Sequence, residues 1–247
     1  MFDLGKHMIN KTIHYCWFGG EIPDAVRNRV KQWQSMLTDY KFVLWNEKNF
    51  DVHALPFTEY MYEQHNYAYV TDYVRLYAVY NYGGFYFDTD VILLKSIDDL
   101  RKNTAVFALE DFDSINTGLG LAAEANIKVL KDLLQIYEEW TPNENVNKFP
   151  TCVEIASNYF RSLGFRNVDR TQYVNDCLIL STEYFAPMKV GSKYAQITPN
   201  TYGIHQYAAS WTSQSLLKLR LKRAIRTVIV KLFGSTSYQR LRNGVRR

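Results

Sequence analysis

The sequence predicts one α/β domain, residues 1–214, followed by a basic amphipathic tail, residues 215–247, and three observations carry that expectation. Runs rich in β-branched and aromatic residues alternate with helical patterns between residues 12 and 207. That order builds a sheet flanked by helices. At 247 residues, 47% hydrophobic and 15% aromatic, the chain can bury a sizeable core, and one large α/β domain accounts for the length. The charge is divided: ten Lys/Arg and no Asp or Glu follow residue 215, which leaves 19 basic and 25 acidic residues before it, a net of −6 under an overall +4.

The elements follow in order. Thr12–Phe18 is apolar and aromatic and ends at Gly19-Gly20, a strand closed by a tight turn. Pro23 opens a helical pattern over Asp24–Leu37, since its fixed φ suits a first turn. Lys41–Trp45 is a short second strand. Pro56–Tyr82 reads mainly as helix, strongest from Tyr67, and stops at Gly83-Gly84. Phe85–Leu94 is a strand, Thr104–Glu110 another, and Ile115–Ala122 a looser one interrupted by glycines. Asn126–Glu139 is an amphipathic helix, Thr141–Lys148 a polar loop and Cys152–Leu163 a helix. Cys177–Leu180, Ala195–Thr198 and Thr201–Tyr207 are short strand candidates.

The run from Tyr82 to Leu94 holds Asp88 and Asp90 in otherwise apolar surroundings. A strand that persists through them turns both carboxylates to one side, roughly 6–7 Å apart from the strand rise. Unpaired, they would repel and lose hydration at a cost of several kcal/mol. A divalent cation relieves that conflict, and hard oxygen ligands suit Mg²⁺ or Mn²⁺, which commonly share their shell with a substrate's phosphates. The plainer alternative is a strand that frays into a polar turn at Asp88.

Asp72 and Arg75, three apart in a helical pattern, share a face. They read either as a surface ion pair, worth about 0.3–0.5 kcal/mol, or as a ligand pair, the carboxylate accepting from sugar hydroxyls and the guanidinium reaching an anionic or hydroxylated ligand. Trp17, at the end of the first strand, could stack on a nucleobase or fill the core. His205 is a structural histidine or the neutral imidazole that completes a carboxylate metal shell. Ser210 and Trp211 carry uncharged donors suited to phosphate oxygens.

Four stretches together resemble glycosyltransferase family 32, the DXD-containing group that includes capsular polysaccharide enzymes and is related to the glucosylating toxins. They are Ile13–Gly20, Tyr69–Tyr77, Tyr82–Val91 and Ile204–Trp211. The resemblance spans about residues 9–211 and is specific because the four occur in family order. It implies a GT-A fold, a Rossmann-like domain with a mainly parallel mixed sheet that binds a nucleotide-sugar, UDP- or GDP-linked, through Mn²⁺ or Mg²⁺. It implies transfer to a glycan or lipid-linked glycan acceptor with retention of configuration, as in bacterial surface polysaccharide synthesis. By position, Trp17 resembles the base-stacking ring, Asp72 and Arg75 the sugar and ribose contacts, and Asp90 the direct metal ligand assisted by Asp88. His205 is similar to a metal or phosphate ligand, Ser210 and Trp211 to diphosphate contacts. Asn116 falls where related enzymes line the sugar pocket. Gln206 and Ala209 depart from the commoner His and Gly of the closing motif.

Two other readings of the same carboxylates are a metal-dependent nucleotide-sugar phosphohydrolase and a non-catalytic sugar- or nucleotide-binding module. The acidic net charge of the domain argues against nucleic acid as a partner. In the tail, Leu216, Leu217, Leu219, Leu221, Ile225, Val228, Ile229 and Leu232 are interleaved with Lys and Arg. That pattern reads as a basic amphipathic helix for an anionic membrane surface, or as a helix packed on the domain. Three widely spaced cysteines suggest free thiols. With no signal-peptide layout or membrane-spanning run, the expected location is cytoplasmic, peripheral on the inner face of the membrane.

Overall fold

The computed structural model describes residues 8–142, 149–188 and 194–207. Along the chain run β1 (Thr12–Cys16), α1 (Asp24–Met36), β2 (Lys41–Trp45), α2 (Pro56–Glu63), α3 (Tyr67–Tyr82), β3 (Gly84–Tyr86) and β4 (Val91–Leu93). A 3-10 turn at Asp98–Lys102 leads to β5 (Ala105–Asp111), β6 (Ser114–Asn116), α4 (Thr117–Gly120), β7 (Leu121–Ala123), α5 (Lys128–Glu138) and α6 (Cys152–Ser162). The last described elements are β8 (Gln172–Val174), β9 (Cys177–Leu180), α7 (Thr182–Phe185) and β10 (Gly203–His205).

The main sheet has the order β2-β1-β3-β7-β5-β9-β8, with β6 hanging from β5. β1 is parallel to β2 and β3, and β5 is parallel to β9. β7 lies antiparallel between β3 and β5, so those five strands share one direction while β7 and β8 run against them. This is the mainly parallel mixed sheet that the resemblance implies, in the α/β order that the alternating pattern predicts. β4 leaves it and pairs antiparallel with β10.

Side chains alternate between two apolar layers, as the two-residue period of a strand requires. Phe107 and Leu109 of β5 join the layer that holds Phe57, Val70, Val74, Leu130 and Phe160, beneath α2, α3, α5 and α6. Val106 and Ala108 face the other layer, with Ile13, Trp33, Phe85, Phe87 and Phe185. There α1 is tied to β4 by the Trp33 indole N–H, which donates to the Val91 carbonyl at 2.9 Å.

Gly83 and Gly84 turn α3 into β3 at φ +63° and +103°, a region costly for other residues. A Cβ on Gly84 would lie 2.6 Å from the Thr12 carbonyl, so no side chain fits beside β1. His14 braces this corner. The Trp45 indole can only donate, so it bonds the His14 Nδ1 at 3.1 Å, and Nε2–H donates to the Gly83 carbonyl at 2.9 Å. Burial pushes the His14 pKa down to about 4 and keeps the ring neutral.

Several sequence expectations change. The helix over Pro56–Tyr82 is two helices, broken at His65, which takes φ +56°. The loose strand at Ile115–Ala122 is β6, the short α4 and β7. Ala195–Thr198 supplies only an isolated bridge from Ala195 to Met188. β8 and α7, which the sequence pattern did not suggest, are present. Part of the polar loop, Ser210, Trp211 and the tail lie outside the described residues. Among the described residues, no helix is long and apolar enough to cross a membrane, and all three cysteines are unpaired.

Candidate active site

The expected strand over Phe85–Leu94 does not run through. β3 ends at Tyr86, Asp88–Asp90 form a turn, and the chain re-enters a different sheet at β4. The reason is local competition for backbone partners. The Asp88 N–H donates to the Gly118 carbonyl at 2.9 Å, and the Val91 N–H closes the turn on the Asp88 carbonyl at 3.0 Å. The polar turn at Asp88 is thus correct, and strand alternation does not bring the two carboxylates together. The turn does, beyond the carboxyl ends of β1 and β3, where ligands sit in open α/β sheets.

β10 brings in a third group. His205 Nε2 lies 3.0 Å from Asp90 Oδ1 and 3.8 Å from Asp88 Oδ2. One ligand atom from each residue falls within a 4.8 Å cluster, so Asp88, Asp90 and His205 could hold a metal ion. Two carboxylates and an imidazole fit a divalent cation of the Mn²⁺ or Mg²⁺ kind, with room in the shell for phosphate oxygens. Gly118 shapes the cradle: a Cβ there would meet Asp88 Oδ2 at 1.9 Å. Burial lowers the His205 pKa, but hydrogen bonds to Asp88 and Asp90 outweigh it and raise it to about 10.

Behind the turn stands α3. Asp72 and Arg75 do form the i,i+3 ion pair, at 2.7 Å, but it is not on the surface: Asp72 is 7% and Arg75 4% exposed. The guanidinium also donates to Asp88 Oδ1 at 2.9 Å, to Thr117 Oγ1 at 3.3 Å and to Cys152 Sγ at 3.3 Å. Its face lies 5.1 Å from the Tyr86 ring centroid, and the Tyr86 hydroxyl donates to Asp88 at 2.9 Å. Burial favours the neutral form of Asp88, but Arg75 and then His205 overcome it and hold the carboxyl below its ordinary value. For Asp72, burial wins over Arg75 and lifts the pKa to about 6.

Trp17 follows β1 and is half-buried. Its indole N–H donates to the Glu21 carbonyl at 3.1 Å, and among the described residues no ring stacks on it. Asn116 is buried and caps α4, its Oδ1 accepting from the Gly118 N–H at 2.7 Å and its amide donating to Glu110 at 2.7 Å. It therefore sets the loop that carries Thr117 and Gly118 against Arg75 and Asp88.

Sequence reasoning missed Tyr86 and Cys152, and it placed Thr117 and Gly118 only with Asn116, as a stretch that falls where related enzymes line the sugar pocket. Tyr86 was within reach, two residues before Asp88. Cys152 was not: it opens α6, and only the fold sets its thiol against Arg75, 77 residues away in sequence.

A family model described as "Glycosyltransferase sugar-binding region containing DXD motif" matches residues 23–107, which include Asp72, Arg75, Asp88 and Asp90. Inositol phosphoceramide mannosyltransferase 3 of Schizosaccharomyces pombe is 31% identical over 96 residues, 37% of this chain. The chain spans about a quarter of that relative, 27% of its length. Among solved structures, the PaToxG glycosyltransferase is similar with a TM-score of 0.50 at 16% identity, covering 63% of this chain and 69% of that one. A glycosyltransferase involved in the glycosylation of the major capsid of PBCV-1 has a TM-score of 0.45 at 13% identity, covering 84% and 95% of the two chains. The match over residues 23–107 places the helix and turn of the site in a DXD sugar-binding region, and the likeness to PaToxG shows a shared fold.

Proposed function

We propose that this protein is a metal-dependent glycosyltransferase of the family 32 kind. It moves a hexosyl group from a UDP- or GDP-linked donor to a glycan or lipid-linked glycan acceptor, with retention, in bacterial-type surface polysaccharide synthesis such as capsule assembly. The observation that carries this reading is the single guanidinium of Arg75 joining Asp72 at 2.7 Å to Asp88 at 2.9 Å beside the Asp88/Asp90/His205 cluster. A mannosyl enzyme acting on a phosphoceramide, as the name of the yeast relative states, favours a hexose donor and a lipid-bearing acceptor.

In this mechanism Asp90, with Asp88 and His205, would hold Mn²⁺ or Mg²⁺. Once bound, the ion supplies positive charge against the diphosphate leaving group. Trp17 stacks on the nucleobase. Asp72 accepts from donor sugar hydroxyls, and Asn116 lines that pocket through the loop it caps. Arg75 is a fixed cation held between two carboxylates, so it offsets negative charge developing at the diphosphate without reorganising. Ser210 and Trp211 add uncharged donors to the phosphates. The sugar passes through an oxocarbenium-like state, as in glycoside hydrolysis, and the acceptor attacks on the face the phosphate leaves.

Product analysis tests this with a panel of UDP- and GDP-sugars, with Mn²⁺ or Mg²⁺, with and without glycan acceptors. Nucleoside diphosphate and a glycosylated acceptor are expected, and Asp90→Asn should abolish both while the circular dichroism is unchanged. Full transfer in excess chelator would remove the metal from the mechanism. Nucleoside monophosphate plus sugar 1-phosphate would identify a phosphohydrolase, and donor binding without turnover a binding module.

We further propose that residues 215–247 dock the enzyme on the cytoplasmic membrane face near a lipid-linked acceptor, each Lys or Arg contributing about 1 kcal/mol at an anionic surface. Equal flotation of the full chain and of a chain ending at Trp211 on anionic vesicles would refute that role.

A further inference from the structure

A second cation approaches the carboxylate pair from the opposite face of the sheet. Arg29 lies on α1, whose Val30 and Trp33 belong to the layer beneath β4, whereas Arg75 comes from α3 on the other side. Arg29 is half-buried. Its Nη2 donates to the Gln206 Oε1 at 2.7 Å, and its Nε is buried and, among the described residues, has no hydrogen-bond partner. Gln206 in turn donates its backbone N–H to the Asp90 carbonyl at 3.2 Å, which ties this guanidinium to the metal-cluster turn. Burial lowers the Arg29 pKa and the Asp90 carboxylate raises it, so the cation is partly desolvated and within the field of Asp90.

Arg75 and Arg29 are in contrasting states. Arg75 spends its fork on two carboxylates of the protein. Among the described residues, Arg29 bonds a neutral amide and forms no ion pair. A guanidinium taken partly out of water for so weak a partner is poised for an anion, and its planar fork matches phosphoryl oxygens. Beside Asp90, the anion that the glycosyltransferase reading brings is the donor's diphosphate.

We propose that Arg29 is a donor-binding residue that takes an anionic oxygen of the nucleoside diphosphate on the side of the cluster opposite Arg75. The inference rests on the glycosyltransferase reading. It gives the Gln at position 206 a function: it parks the guanidinium beside the turn before the donor arrives. It also distinguishes Arg29 from Arg27 of the same helix, which is exposed and paired with Asp24 at 2.9 Å.

Calorimetry of the full chain with UDP and GDP in saturating Mn²⁺ tests it. Arg29→Gln should weaken the tighter of the two by roughly tenfold or more, the effect of losing a charge-assisted hydrogen bond. Arg29→Lys should restore part of that loss. Arg27→Gln, exposed on the same helix, should leave diphosphate affinity within about twofold, and Mn²⁺ affinity without nucleotide should be no weaker in Arg29→Gln than in the wild type. Unchanged diphosphate affinity in Arg29→Gln would overturn the proposal. Equal loss of Mn²⁺ affinity in Arg29→Gln and Gln206→Ala would overturn it too, making Arg29 a latch for the segment carrying His205. A wild-type protein that binds neither UDP nor GDP would overturn the glycosyltransferase reading and this inference with it.

Discussion

Arg75 and Asp88, thirteen residues apart in sequence, meet at 2.9 Å in the interior of the site. Because the same guanidinium also holds Asp72, one cation is shared by two carboxylates, Asp72 buried and Asp88 partly buried. Removing it leaves Asp72 without its charged partner and, among the described residues, Asp88 with only Tyr86 and His205, and breaking the buried Asp72–Arg75 pair in this way costs about 3–5 kcal/mol. Arg75→Ala should therefore lower stability by that order as well as activity, unlike the surface pair the spacing alone allows. Denaturant unfolding measures it, and a loss below about 1 kcal/mol would place the pair in the surface class.

Gly118 has a different vulnerability. The Cβ of Gly118→Ala would sit 1.9 Å from Asp88 Oδ2, so that carboxylate must move. A displacement of about 1 Å at a reacting centre can cost on the order of a hundredfold in rate. We expect such a loss in kcat, with weaker Mn²⁺ affinity in a thermal-shift titration. Wild-type kinetics would show that Asp88 tolerates the shift.

Trp17 is half-buried and outside the buried core. Trp17→Ala should weaken nucleotide binding by about 1–3 kcal/mol, the range for base–aromatic stacking, with little change in melting temperature. The reverse pattern, a large thermal loss with unaltered nucleotide affinity, would make it a packing residue.

The buried, neutral His14 makes stability depend on acidity. Its pKa is about 4 folded against an ordinary 6.5, so the unfolded chain binds the proton more readily. Stability from this group is complete above pH 6.5 and is lost as the pH falls toward 4, on the order of 3 kcal/mol at the usual energy per pKa unit. Asp72, raised to about 6, acts in the opposite sense over part of that window. Comparing unfolding free energies of the wild type and His14→Gln across the window isolates the histidine: the difference between them should shrink on acidification, and a constant difference would contradict the assignment.

The sequence by itself determined the residue types of the site and the local elements that carry most of them. Asp72 and Arg75 share a helix face because three residues are nearly one turn, and α3 ends where Gly83 and Gly84 allow a backbone others resist. Lys41–Trp45 and Cys177–Leu180 were legible as strands because compact β-branched and apolar runs fit a buried pleat. Tertiary structure decided the rest. Phe85–Leu94 reads as one strand, yet Gly118 captures the Asp88 N–H and β10 captures β4, so the carboxylates converge through a turn. β8 is three residues long with Tyr173 68% exposed, too short and too wet to show a period, and exists because β9 offers it an edge. Cys152 and Arg29 come to the surroundings of the Asp88–Asp90 turn from segments far away in sequence, with no local pattern to encode that approach, and His205 was legible only through the closing motif. Burial changed what the Asp72–Arg75 pair is worth: removing it from water turned a spacing worth a few tenths of a kcal/mol into a buried ion pair that is costly to break.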